Sequence, residues 1–101
     1  MASPPWKNIY NLSEQQLNDL DAAENLIEMM DLSKAESMLL EMDKNSPNCV
    51  PILNVLAHMY GRHLSDFESA IKYYTLVLDI EPDNAWARDE RRKYSRYLSY
   101  D

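Results

Sequence analysis

Residues 50–82, VPILNVLAHMYGRHLSDFESAIKYYTLVLDIEP, carry two runs of apolar side chains, separated by a more polar turn. Within each run the apolar residues recur at steps of three or four, which lines one face of an α-helix. Pro51 suits the first turn of a helix, because the amide that it lacks would have no partner there. Pro82 disfavours helix in the residue before it and so closes the second run. The stretch predicts a pair of helices over residues 50–61 and 66–80.

The turn between these two helices contains two end signals. Gly61 is predicted to end the first helix in a left-handed conformation, which glycine adopts without steric penalty. Ser65 and Glu68 have the spacing of a capping box, in which each side chain satisfies a free backbone amide at the start of a helix. We therefore expect a tight reversal of the chain between them.

The same pattern occurs 35 residues upstream. Asp31-Leu32-Ser33-Lys34-Ala35 matches Asp66-Phe67-Glu68-Ser69-Ala70, and Pro47 matches Pro82. A helix pair that cannot cover its own apolar face stacks on a copy of itself, and repeats of this length are typical of such arrays. We expect Ala35, Ala57 and Ala70 at close contacts between helices.

Three more helices complete the predicted fold. Ser13 and Gln16 form a capping-box pattern before a helix over residues 14–30, and another helix follows over 33–45. Asp83 or Asn84 can cap a last helix over 84–98. The expected inward side chains of the first two helices are Leu17, Leu20, Ala23, Leu26, Ile27 and Met30, and Ala35, Met38, Leu39 and Met42. The chain is thus predicted to be all-α, with about five antiparallel helices in one domain over 13–101 after an extended arm over 1–12.

The second unit matches a known repeat pattern of large apolar, small and aromatic positions. The matching residues, in order, are Leu53, Leu56, Ala57, Tyr60, Ala70, Tyr74 and Pro82. In this it resembles the tetratricopeptide repeat (TPR). It departs from that pattern at Leu53 and Ala57, where Trp and Gly are common, and by one extra residue in the turn around 61–65. The first unit is more degenerate, since Asp19 occupies its large apolar position.

The resemblance implies a short helical-hairpin solenoid with TPR-like repeats over about 16–48 and 50–83 and a capping helix over 84–100. It also implies a non-catalytic protein-interaction module that binds a peptide or helix on a concave face built from the first helix of each unit. The residues that would lie on that face are Asn18, Asn25, Asn54, Val55 and His58, with Glu28 and Arg62 at its edges.

The last helix is a second candidate surface. Residues 1–84 hold five basic and fourteen acidic side chains, a sum of −9, whereas residues 85–101 sum to +2. Arginine and aromatic side chains are enriched in interface hot spots, and this helix carries Trp86, Arg88, Arg92, Arg96 and Tyr97. The helix is either a partner site or a cap whose aromatics fold onto the fourth helix. A weakly self-associating structural subunit, with the acidic front of one copy on the basic helix of the next, is the alternative function.

Composition argues against other classes of partner. The net charge of −7 would repel nucleic-acid phosphates and anionic lipid, so we expect no nucleic-acid or membrane partner. No apolar run approaches the roughly 20 residues that cross a bilayer. The single Cys49 cannot form an internal disulfide, and no secretory signal is apparent, so a cytoplasmic location is expected.

No set of residues in the sequence suggests catalysis. His58 and His63 lack the paired spacing of a four-ligand zinc site, and Cys49 has no activating base near it in the sequence. No phosphate-binding loop, catalytic triad or cofactor motif is present. We therefore expect no metal, no cofactor and no enzymatic activity. Met29, Met30, Met38 and Met42 suit either the core or the lining of an adaptable binding groove.

Overall fold

The computed structural model of the chain describes residues 9–99, and within that range it contains five helices and no strand. The helices are α1 (Glu14–Glu28), α2 (Leu32–Asn45), α3 (Val50–His58), α4 (Phe67–Ile80) and α5 (Ala85–Ser99). Each helix packs against the next one along the chain. Because the connections are short, successive helices run in opposite directions. The predicted all-α fold is confirmed.

The backbone repeats with the same 35-residue offset as the sequence. Helices α2 and α4 are each 14 residues long. Each follows an aspartate N-cap of similar conformation, Asp31 with φ −87° and Asp66 with φ −92°. The residue before each cap is left-handed, Met30 with φ 63° and Ser65 with φ 52°. The two units therefore share a local conformation as well as a sequence pattern.

The end of the third helix differs from the prediction. Helix α3 ends at His58 and continues as a π-helical turn over Met59–His63, which includes Gly61. The prediction of a left-handed glycine was wrong, since Gly61 has no positive φ and Ser65 is left-handed instead. A π-helical turn accommodates one extra residue without ending the helix. It lies where the sequence has one residue more than the repeat pattern.

Contact with the last helix explains why residue 61 is glycine. A Cβ atom there would lie 2.6 Å from Cε2 and 2.8 Å from the hydroxyl oxygen of Tyr94. Tyr94 is only 2% exposed and stacks on Phe67 at 5.5 Å between ring centroids. The ring has little room to move, so the backbone at Gly61 can approach it only without a side chain.

Two of the predicted caps are confirmed. Ser13 Oγ accepts a hydrogen bond from the Gln16 amide at 3.1 Å, and Gln16 Oε1 accepts one from the Ser13 amide at 2.8 Å. At the start of α5, Asn84 Oδ1 accepts from the Ala87 amide at 3.0 Å.

The predicted capping box at Ser65 was wrong. The N-cap of α4 is Asp66, whose carboxylate accepts from the Ser69 amide at 3.2 Å and from the Ser69 hydroxyl at 2.7 Å. Ser65 lies one residue too early and is left-handed, so its hydroxyl does not reach the helix start.

The core lies between the helix pairs, and the three alanines expected at close contacts, Ala35, Ala57 and Ala70, have no exposed surface. Most of the expected apolar stripes are also buried. Met30 is not, with 61% of its surface exposed, because α1 ends before it and its backbone turns away. Met29 is 69% exposed, whereas Met38 and Met42 pack against the core. The four methionines are therefore divided between core and surface.

Most of the predicted arm, residues 1–8, lies outside the described residues. Residues 9–11 form a turn, and the Tyr10 hydroxyl donates to Glu81 Oε1 at 3.2 Å. This bond ties the chain before α1 to the end of α4. No helix in the described range is long and apolar enough to cross a membrane.

Candidate functional site

A groove of about 500 Å³ is formed by α1, the α3 helix with its π-helical turn, and the start of α5. Its lining residues are Glu24, Ile27, Glu28, Asn54, Val55, His58, His63, Asn84 and Trp86. We call it the α1–α3 groove. Ile27 and Glu28 follow Glu24 by three and four residues on α1, and His58 follows Asn54 by four on α3, which places each set on one side of its helix. The helix period therefore brings these side chains together.

Apolar side chains form part of the lining. Ile27 is 5% exposed and belongs to the core, whereas Val55 is half-buried and packs against the core. Trp86, in the first turn of α5, is 56% exposed. A tryptophan at the edge of a groove offers a large rigid apolar surface. These three side chains can hold an apolar group of an occupant.

Two asparagine amides line the groove, and they differ in how they are satisfied. Asn84 is occupied by its cap, because its Oδ1 accepts from Ala87 and its Nδ2 donates to Glu81 Oε1 at 3.0 Å. Asn54 Oδ1 is buried and has no hydrogen-bond partner among the described residues. Buried polar atoms are almost always hydrogen-bonded in folded proteins. Asn54 Oδ1 is therefore an unusual buried acceptor beside the groove.

Two histidines meet at the π-helical turn. The rings of His58 and His63 lie edge to face with centroids 5.7 Å apart. Partial burial lowers the pKa of His58, and His63, Arg62 and Lys93 lower it further, against an opposing effect of Glu90. His58 therefore stays uncharged at neutral pH and adds no positive charge to the groove.

Four of the predicted partner-binding residues, Asn54, Val55, His58 and Trp86, line the groove, and Glu28 lines it as well. The other predicted residues lie elsewhere. Asn18 and Asn25 are exposed on α1 but do not line the groove. Arg88, Arg92 and Arg96 are exposed along α5, and Tyr97 packs edge to face against Phe67 at 5.3 Å.

Sequence reasoning missed Glu24, His63 and Asn84 as lining residues. Glu24 could have been found, because it lies one helical turn before Glu28, which was placed at the edge of the binding face. His63 was assigned to a turn after the helix, and only the π-helical turn brings it beside His58. Asn84 was recognised as a cap, but its position in the groove depends on how α5 packs.

Cys49 lies in a second, smaller groove of about 320 Å³, beside Tyr10 and Glu81. Burial raises the pKa of its thiol, with a smaller increase from Asp43 and an opposing effect of the Ile52 amide. A thiol with a raised pKa is less ionised at neutral pH and hence a poorer nucleophile.

Within residues 9–99, no group of three or more His, Cys, Asp and Glu side chains is placed to hold a metal ion.

The chain was compared with protein-family models, curated proteins and solved structures, and none of them matches it.

Proposed function

We propose that this chain is a non-catalytic protein-interaction module, an adaptor or assembly scaffold, that binds a peptide or helix of a partner protein in the α1–α3 groove. The observation that carries the proposal is the exposed Trp86 beside the apolar Ile27 and Val55 in a groove of about 500 Å³. Tryptophan is among the side chains that most often dominate binding energy at protein interfaces. A groove with such a side chain at its edge suits an apolar anchor of a partner.

The resemblance to the tetratricopeptide repeat supports the same surface. Members of that family bind through the first helices of successive repeats, and α1 and α3 are the first helices of the two units found here. The match of the second unit to the pattern is close, whereas the first unit carries Asp19 at its large apolar position. Both helices nevertheless contribute side chains to the groove.

Self-association remains a second candidate because of the charge on α5. Arg88, Arg92 and Arg96 are exposed and four residues apart, so they form one ridge along the helix. The aromatics Tyr94 and Tyr97 turn the other way and pack on Phe67. The aromatic side of α5 thus acts as a cap, and its basic side is free to meet the acidic front of a second copy.

A selection from a library of random linear peptides displayed on phage tests the main proposal. We expect the wild-type chain to enrich peptides whose binding is weakened roughly thirtyfold by Trp86→Ala, which corresponds to the ~2 kcal/mol of a hot-spot side chain. Leu40→Ala is the matched control, because Leu40 is an exposed apolar residue of α2 that does not line the groove. Circular dichroism of each variant reports whether the helices remain.

Two outcomes would count against the proposal. Either the wild-type chain enriches no peptide, or the enriched peptides bind the Trp86→Ala variant as tightly as the wild type.

The proposal further places the protein in a reducing, cytoplasmic compartment. Such a compartment suits the half-buried thiol of Cys49, which has no second cysteine in this sequence to pair with.

A further inference from the structure

We propose that the His58–His63 pair makes occupancy of the α1–α3 groove depend on pH, so that the groove releases its partner on acidification. This inference rests on the proposed function and adds the regulation of the same site. It follows from the position of the two imidazoles in the groove, from their contact with each other, and from the charges around them.

The first step is that a change of helix geometry places both imidazoles in the groove. Side chains five residues apart on an ideal α-helix point about 140° away from each other, since each residue turns the helix by about 100°. The π-helical turn has more residues in each turn, and within it the Leu64 amide donates to the Met59 carbonyl five residues earlier at 3.1 Å. His58 and His63 therefore meet, with ring centroids 5.7 Å apart, and both line the groove.

The second step is that the surroundings of the pair disfavour positive charge on it. Burial is the largest cause that lowers the pKa of His58 below its ordinary value of 6.5, and the neighbouring His63 lowers it further. Arg62 and Lys93 act in the same direction, whereas Glu90 raises it. In the empty groove His58 therefore takes up a proton only when the pH falls below that ordinary value.

The charged groups around the pair come from three parts of the fold. Arg62 belongs to the π-helical turn, and Lys93 and Glu90 belong to α5, where they are paired with each other at 2.8 Å. Glu24 and Glu28 of α1 line the same groove. Because charges of both signs surround the pair, a test of its titration needs a variant in which these other groups are kept and the imidazoles are removed.

The third step is the effect of an occupant on the pair. An apolar side chain that packs on Val55 and Trp86 also excludes water from His58, which lies about one turn after Val55 on the same side of α3. Loss of water disfavours the charged form of an imidazole, so the occupant lowers the pKa of His58 further. The free chain then binds a proton that the complex does not, and affinity falls as the pH drops through the pKa of His58 in the free chain.

The test measures affinity between pH 5.5 and 8 by calorimetry, with a peptide selected by the wild-type chain that contains no histidine and has blocked ends. We expect constant affinity between pH 7 and 8 and a loss of roughly two- to tenfold at pH 5.5, because one proton changes affinity by at most about tenfold for each pH unit. Titrations at pH 6 in two buffers that differ in heat of ionisation should show that protons are released on binding.

Two variants assign the effect to the pair, through the ratio of affinities at pH 7.5 and pH 5.5 within each variant. The sequence contains two histidines, so the double variant His58→Gln, His63→Gln has none, and its ratio should be close to one. His63→Gln alone removes a neighbour that lowers the pKa of His58, so the loss of affinity should begin at higher pH. Circular dichroism at pH 5.5 reports whether the helices remain.

The outcomes separate this inference from the proposed function. If binding depends on Trp86 but not on pH, or if the double variant keeps the pH dependence of the wild type, the inference is wrong and the proposed function stands. Tighter binding at pH 5.5 than at pH 7.5 would overturn the inference in the same way. Failure to select any peptide that depends on Trp86 would overturn both.

Discussion

A side chain at position 61 would collide with Tyr94. We expect Gly61→Ala to lower the free energy of unfolding by about 1–2 kcal/mol, because overpacking of a buried ring outweighs the helix propensity that alanine gains. For a domain of this size, that corresponds to a fall in melting temperature of about 4–8 °C for each kcal/mol. Thermal unfolding followed by circular dichroism measures it.

A double-mutant cycle with Tyr94→Ala provides the control. With the Tyr94 ring removed, the added methyl group at position 61 has space, and Gly61→Ala should become neutral or stabilising. Equal losses of stability in both backgrounds would show that the glycine is needed for another reason.

Ala70 tests the close contact between the two helices of the second unit. It has no exposed surface, so Ala70→Leu should destabilise the chain by about 1–3 kcal/mol through overpacking. Ala22→Leu is the matched control, since Ala22 is an exposed residue of α1, and its effect should stay within about 0.5 kcal/mol. An unchanged melting temperature in Ala70→Leu would argue against the alignment of the two repeats.

At the scale of single residues, the sequence predicted part of the groove and not the rest. Asn54, Val55 and His58 were found because the resemblance to the repeat implies a binding face on α3 at positions that packing between the repeats does not need. Asn18 and Asn25 fit the same argument on α1, yet they do not line the groove, to which α1 contributes Glu24, Ile27 and Glu28 instead. Which part of a helix face borders a groove depends on packing, which a sequence pattern does not contain.

The helix caps offer a comparison at the scale of elements. Asp31 and Asp66 occupy the same position in the repeat, but only the Asp66 side chain accepts hydrogen bonds at the helix start. We expect Asp66→Ala to destabilise the chain by about 1 kcal/mol and Asp31→Ala by less than half as much. Urea unfolding of the two variants measures the difference. Equal losses would mean that the aspartates act through the helix dipole and not through their caps.

The helices themselves were largely predictable, and the reason lies in local chemistry. Apolar spacing, prolines and short polar caps fix where α1, α2, α4 and α5 begin and end, and their predicted bounds lie within about two residues of those observed. The end of α3 was not predictable in this way. Its π-helical turn and Gly61 fit the Tyr94 ring, which comes from a helix much further along the chain.

At the scale of the whole molecule, the uneven distribution of charge bears on whether the chain is a monomer or self-associates. If α5 contacts the acidic α1 side of a second copy, the apparent molecular mass should increase with protein concentration at low salt. This association should be lost when Arg88, Arg92 and Arg96 are changed to Glu. The matched control changes the exposed Lys34, Lys44 and Lys72 to Glu, which gives the same net charge. Analytical ultracentrifugation measures both.

Salt dependence separates the two kinds of contact. At 1 M salt the screening length falls to about 3 Å, so an association through the arginine ridge should disappear. An association that persists there, or that survives the triple arginine variant, would rule out the ridge and require an apolar contact. If the wild-type chain stays monomeric at every protein concentration tested, self-association is ruled out.

The most direct test of the central claim is to locate a bound peptide on the chain. Amide and indole N–H signals of the labelled protein are recorded by NMR while a peptide selected by the wild-type chain is added. We predict that the signals that shift will cluster at Asn54, Val55 and His58 and at the indole of Trp86. Shifts confined to the outer face of α5 around Arg92 and Arg96, with the α3 signals unmoved, would contradict the account.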